Sequence, residues 1–206
     1  MQSPEAPGFG ALVVEVALFP VKSVAGLRPA HAQVGPEGLA GDRGFVLAVA
    51  GGPALTAKTT PRLRALELSG PAAAPVLRAP GAAPGDLGAV ARFLGVDAPL
   101  ELRPAPGGAR QVAAVHVVST LERDDPAAGD SSRANLVLRP APGARPPAPA
   151  RLAGSLLEVG PVLLRLGEPP RHCAGSFAEV LRGGRVRTGD AARLLARADG
   201  GGGAPG

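Results

Sequence analysis

The apolar residues of this chain fall in short runs, each closed by glycine or proline, and that spacing favours a fold of short strands and tight turns. ALVVEVALF (11–19) is rich in Val and stops at Pro20, reading as a buried strand. LRPAHAQV (27–34), GFVLAVA (44–50), LRALELS (63–69), LELRP (100–104), AAVHVVS (113–119) and NLVL (135–138) read as further strands. SLLEVGPVLLRLGE (155–168) predicts a hairpin or bulged strand broken at Gly160-Pro161, and GGRVRTGDAARLLAR a last strand pair across Thr188-Gly189-Asp190. One helix is expected after the N-cap Asp86, with Leu87, Val90, Ala91 and Leu94 on one face and Gly95 ending it. A second short helix is expected in SFAEVLRG, opened by Ser176. The expected fold class is mostly β, an antiparallel β-barrel-like architecture with a few short helices.

The segments outside this pattern set the expected organisation. Residues 1–10 read as a flexible lead-in, the proline-rich stretch 139–150 as a connector, and 197–206 as a disordered tail. With 30 glycines, 24 prolines, five Phe and neither Tyr nor Trp, the core is left to Val, Leu and Ala, with Phe19, Phe45, Phe93 and Phe177 as large fillers. The net charge is +5, but the arginines are scattered and have no interleaved stacking aromatics, which argues against nucleic acid. A local anion such as a phosphate-bearing cofactor fits the charge better. A single cysteine excludes an internal disulfide and a cysteine-ligated iron–sulfur cluster within the chain. MQSPEAPGFG lacks the basic and apolar regions of a signal peptide, and no apolar run approaches membrane-spanning length. A soluble, cytoplasmic protein that engages no membrane is expected. Neither GxGxxG nor GxxxxGK[ST] occurs in a strand–helix context.

Three stretches hold the informative polar residues. In FPVKSVAGL (19–27), Pro20 ends the strand and brings Lys22 and Ser23 out at a rim. Lys22 and Lys58 are the two lysines in a chain that otherwise uses Arg, which suggests a compact ammonium at each place. In GLAGDRGFVLAVAGGPALTAKTTPRL (38–63), the Asp of Gly-Asp-Arg reads as bonding its own turn backbone. Thr56 and Lys58, two apart in an extended segment, would share a side, and Arg43, Lys58 and Lys22 could form a cationic pocket for phosphate. The third stretch, GEPPRHCAGSF (167–177), places Cys173 in a basic loop behind two prolines. Nearby cations would lower its pKa toward thiolate, the form that acts as nucleophile or metal ligand. The bland reading of a lone cysteine as a small core hydrophobe stays open, as does a pairing of Cys173 with His116 or His31.

In this order, these stretches resemble the MOSC domain family with its N-terminal β-barrel portion, which includes the C-terminal domain of molybdenum-cofactor sulfurase and the amidoxime-reducing proteins. LFPVKSVAGL resembles the family's Tyr-Pro-Val-Lys-Ser element, with Phe19 for Tyr, and GLAGDRGFVL its Asp-Arg turn and strand. ALTAKTTPRL resembles Leu-Thr-Ala-Arg-x-x-Pro-Arg-Leu with Lys58 for Arg, and SSRANLVL the Arg-x-Asn strand with Arg133 and Asn135. LLEVGPVLLRLGEPPRHC resembles the stretch leading into the family's cysteine, although the family form sets Arg directly before Cys and this chain reads Arg171-His172-Cys173. RVRTGDAARLL resembles the closing strand, so the likeness spans roughly residues 11–196. It implies a MOSC-type barrel with the N-terminal portion at 11–104 and the MOSC domain at 110–196.

The resemblance further implies a molybdenum cofactor, a metal on a phosphate-bearing pyranopterin. Cys173 would be the metal ligand and catalytic residue, with Lys22, Ser23, Arg43, Thr56, Lys58, Arg133, Asn135 and Arg171 holding the pterin and its phosphate. The implied activity is a molybdenum-dependent oxidoreductase that removes oxygen from an N-hydroxylated or related small-molecule substrate, supplied with electrons by a separate donor protein. A non-catalytic carrier of the cofactor, or of sulfur as a persulfide on Cys173, is the alternative. A third reading is a protein of the same fold without the cofactor.

Overall fold

The computed structural model describes residues 9–105, 113–144, 147 and 149–195. The lead-in before residue 9 and the tail from 196 onward lie outside the described residues, as do 145, 146 and 148 of the connector. A closed barrel of seven strands forms the larger part of the fold. Its strands are β1 (Gly10–Val16), β8 (Val115–Ser119), β9 (Leu136–Pro140), β10 (Leu156–Val159), β11 (Val162–Leu166), β12 (Ser176–Arg182) and β14 (Ala191–Leu195), in the order β1-β14-β10-β11-β12-β8-β9. Closure removes the exposed strand edge that would otherwise invite aggregation. Every pair around the barrel is antiparallel except β8 and β9, which run parallel, a single parallel seam in the mostly antiparallel architecture expected. Parallel neighbours cannot be joined by a tight turn, and here residues 120–135 make the crossover.

Alternation along the strands fills the barrel with Val13, Val115, Val117, Leu136, Leu138, Leu157, Val159, Leu164 and Ala178. A bulge between Val13 and Glu15 shifts the phase of β1, so that Val13 and Val16 both face inward although three residues apart. The remaining strands are β2 (His31–Gly35), β3 (Gly38–Leu39), β4 (Phe45–Val49), β5 (Glu67–Ser69), β6 (Val76–Arg78), β7 (Leu100–Pro104) and β13 (Gly184–Arg187). Strand β2 lies between β13 and β3 in a small sheet whose Ala32, Val34, Leu39 and Val186 join the barrel core. Strands from both sides of the 104–110 interval therefore interleave: β1 closes the barrel, and β13 pairs with β2.

A second core gathers Val21, Val24, Leu47, Leu63, Leu66, Leu77, Val90, Leu94 and Leu100 around the β4–β7 pair and the β5–β6 hairpin. Helix α1 (Leu87–Leu94) packs here as expected, with Asp86 Oδ1 accepting from Ala89 N at 2.9 Å and Gly95 in the left-handed conformation. Two local expectations fail. Residues 61–65 form a 3-10 turn instead of the start of a strand, since Pro61 opens it and Leu63 and Leu66 are buried together at a spacing of three. Ser176–Arg182 is strand β12, not a helix: it is hydrogen-bonded between β11 and β8, and neighbours on both sides override a weak helical preference. The two closing strands are corrected as well, because β13 and β14 pair with different partners and not with each other.

Candidate functional site

The chain leaving β1 is stitched to the turn before β4. Phe19 N donates to Asp42 Oδ1 at 2.6 Å, Arg43 N to the Phe19 carbonyl at 2.9 Å, and Lys22 N to the Phe45 carbonyl at 3.0 Å. Among the described non-glycine residues, Ser23 (φ 66°) and Arg43 (φ 54°) have left-handed backbone. Both line one cavity, and strained backbone of this kind persists only where the surroundings enforce it.

That cavity has a volume of about 460 Å³ and is bounded by Lys22, Arg28, Arg43, Arg64 and Arg133, with the Phe19 ring and the Ser23 and Ser132 hydroxyls beside them. No carboxylate is among its described lining residues. Phe19 orders two of the cations, with the Arg133 guanidinium 4.6 Å from its ring centroid and that of Arg28 at 5.3 Å. Gly26 lets the ring in, since a Cβ there would lie 2.6 Å from Phe19 Cε1. Arg28 is paired with Glu15 at 2.6 Å, and Arg133 Nη1 donates to the Val24 carbonyl at 3.1 Å. Burial, with the Arg43 charge next, pulls the Arg133 pKa down to about 10, the signature of cations crowded in a poorly solvated place.

Beneath the cavity lies a buried polar chain. Asp42 pairs with Arg43 at 3.0 Å and accepts from Asn135 Nδ2 at 3.1 Å. Asn135 also donates to the Ala17 carbonyl at 3.2 Å, and its Oδ1 accepts from His116 N at 3.0 Å. His116 Nε2 donates to the Ala174 carbonyl at 2.7 Å, which fixes the tautomer and leaves Nδ1 buried without a partner among the described residues. The chain ends one peptide from Cys173. The cysteine loop is held from its other side as well: Asp130 N donates to the His172 carbonyl, and Ala174 N donates to the Asp130 carbonyl. Gly129 (φ 104°) packs so closely that a Cβ would lie 3.1 Å from the Cys173 carbonyl carbon.

Of the residues expected at the site, Lys22, Ser23, Arg43 and Arg133 meet at the cavity. Asn135 lies below it, fully buried, with both side-chain polar atoms bonded inside the protein. Thr56 and Lys58 do not share a side of an extended strand. The segment turns, Thr59 N and Thr60 N both donating to the Thr56 carbonyl, and Ala57 is the residue that reaches the cavity wall. Arg171 is exposed and outside the lining. Cys173 is a half-buried free thiol, not among the lining residues, bridged to Asp130, which precedes the lining residues Ser132 and Arg133 in the chain. The expected cationic depression of its pKa is corrected: burial pushes the thiol up and the Asp130 carboxylate adds to this. No hydrogen bond joins Cys173 to a histidine among the described residues: His116 Nε2 bonds the Ala174 carbonyl and His31 is an exposed residue of β2.

The sequence reading passed over Arg28, Arg64 and Ser132, which carry no motif, and it took Asp42 for a local turn residue although it bonds across 23 and 93 positions. A Gly-Asp-Arg-Gly stretch signals a turn in any chain, and only the fold discloses the distant partners of Asp42.

A family model described as the MOSC N-terminal beta barrel domain matches residues 10–89. No curated protein matches the chain. The chain has some likeness to a solved structure, that of the YUAD protein from Bacillus subtilis, 14% identical, covering 90% of this chain and 95% of its own, with a TM-score of 0.47. Among the described residues no helix is long and apolar enough to cross a membrane.

Proposed function

From the match of residues 10–89 to the model of the MOSC N-terminal beta barrel domain, we propose that the chain binds a molybdenum cofactor and acts as a reductase of small substrates. The observation that supports this best is the cavity of about 460 Å³ lined by five cationic side chains and no carboxylate among its described lining residues. Its size suits a small organic ligand, and its charge suits one bearing phosphate. The donor set fits the group: guanidinium forks and an ammonium for the anion, and the chain's one thiol on the neighbouring loop as a soft ligand.

Lys22, Arg43 and Arg133 would hold the phosphate, with Ser23 as a hydroxyl donor, and Cys173 would ligate the metal. Asn135 would serve indirectly, by fixing Asp42 beneath Arg43. When bound, the group would supply oxygen-atom transfer from an N-hydroxylated or related substrate, with electrons delivered by a separate protein. The chain's part is to orient and neutralise that anion, and to hold the Cys173 loop through His116 and Asp130.

One observation favours a second reading. Cys173 lies outside the cavity lining, which also suits a carrier whose Cys173 thiolate attacks the outer sulfur of a persulfide donor, takes that sulfur up as its own persulfide and releases the donor as a thiolate. Molybdenum analysis of protein from a host that makes the cofactor tests the first reading: metal in the wild type and none in Cys173→Ala supports it, and a metal-free wild type overturns it. Turnover of an N-hydroxylated amidine with an artificial electron donor then distinguishes enzyme from carrier, whereas a persulfide on Cys173 in metal-free protein favours the carrier.

A further inference from the structure

We infer that Arg64 is an anion-binding residue of the cavity, holding a phosphate-type oxyanion against Arg133 across the seam between the two hydrophobic cores. The inference rests on the reading of the cavity as an anion site and extends it to a residue that no motif marks.

Arg64 lies on the 3-10 turn Pro61–Ala65, between Leu63 and Leu66, which are both buried in the second core. Its own side chain is exposed and lines the cavity. Among the described residues it makes no hydrogen bond or ion pair, so its donors are available. Arg133 approaches from the barrel side, on the crossover that enters β9, whose Leu136 and Leu138 belong to the barrel core. One of its donors is taken by the Val24 carbonyl and its face lies on Phe19, which leaves a fixed guanidinium edge for a ligand. The two arginines are near enough for the Arg64 charge to contribute to the low pKa of Arg133, a repulsion that a bound dianion relieves. Asp130 also feels the Arg64 charge, but its Oδ1 accepts from Ser132 N at 2.9 Å and its backbone bonds the cysteine loop, outside the lining. An oxyanion gripped by both guanidiniums therefore ties an element rooted in one core to an element rooted in the other.

The test uses the full-length protein without metal, titrated with inorganic phosphate at constant ionic strength and followed by calorimetry and thermal melting. The wild type is expected to bind phosphate and to melt at a higher temperature with it. Arg64→Ala should weaken binding about tenfold or more, and Arg64→Lys should retain part of it. Arg62→Ala provides the control: Arg62 is exposed on the same turn, bonds the Phe93 carbonyl at 3.1 Å and lies outside the lining, so phosphate affinity should be unchanged. A wild type that does not bind phosphate overturns the inference. So does an Arg64→Ala protein that binds like the wild type, or an Arg62→Ala protein that loses as much as Arg64→Ala. Arg64-dependent phosphate binding in a protein that never acquires molybdenum would leave this site standing and remove the cofactor reading. Molybdenum without any Arg64-dependent phosphate binding would do the reverse.

Discussion

His116 Nε2 donates to the Ala174 carbonyl at 2.7 Å, so a wholly buried imidazole on β8 grips the peptide that follows Cys173. The same residue's backbone N–H donates to Asn135 Oδ1, and Asn135 in turn donates to Asp42, which holds Arg43. The cysteine loop and the cationic cavity, far apart in sequence, are thus two ends of one buried hydrogen-bonded chain.

His116→Leu should leave the Ala174 carbonyl unpaired at a cost of about 1–3 kcal/mol, read from chemical denaturation. Iodoacetamide should also modify Cys173 several-fold faster in the folded protein, because the loop has lost a tether. His116→Gln, which restores a donor, should return the alkylation rate toward that of the wild type. An alkylation rate that stays unchanged in His116→Leu would show that the loop is held without the histidine.

Asn135→Leu should cost about 3 kcal/mol or more, since it strands His116 N and the Ala17 carbonyl in the interior and leaves Asp42 Oδ2 with Arg43 alone. The loss should appear in the metal-free protein with no ligand present. A variant as stable as the wild type that only fails to bind cofactor would place Asn135 at the ligand instead.

The Cys173 thiol is pushed up by burial and by the Asp130 carboxylate, so in metal-free protein its alkylation rate should rise with pH at a midpoint above that of an ordinary thiol. Removing a negative charge eases thiolate formation. Asp130→Asn should therefore move the midpoint to lower pH, and a midpoint that stays in place would show that burial alone sets it.

Gly26→Ala should destabilise the protein by about 1–3 kcal/mol through overpacking, because the new methyl would lie 2.6 Å from both Phe19 Cε1 and Arg28 Nη1. Phe19 is buried and cannot swing away, so the two guanidiniums that stack on it should shift as well. Thermal melting should show the lost stability, and phosphate titration the weakened cavity.

Much of the strand pattern was legible because it is local. Valine-rich runs closed by proline, Asp86 before an amphipathic octet and Gly160-Pro161 between two apolar segments each act over a few residues. For the same reason Lys22, Ser23 and Arg43 could be singled out from short motifs and Arg133 from the family resemblance, and the four line one cavity. Where local signals were weak, neighbours decided: Ser176–Arg182 became a strand because β11 and β8 flank it, and Thr56–Thr60 curled into a turn that carries Lys58 off the wall.

What the sequence by itself determined was the inventory: short strands, tight turns, one thiol and a surplus of guanidinium groups with few aromatics to stack on. The tertiary structure alone decided the parallel pairing of β8 with β9, and with it the crossover that brings Asp130, Ser132 and Arg133 to the site. It alone brought Arg64 to the same cavity as Arg133, gave Asp42 its distant partners, and set the Asp130 carboxylate beside the Cys173 thiol where the sequence suggested cations. The physical reason is range. Backbone preference and hydrophobic period act between near neighbours, whereas the charge and solvation of a side chain depend on whatever the closed barrel packs against it.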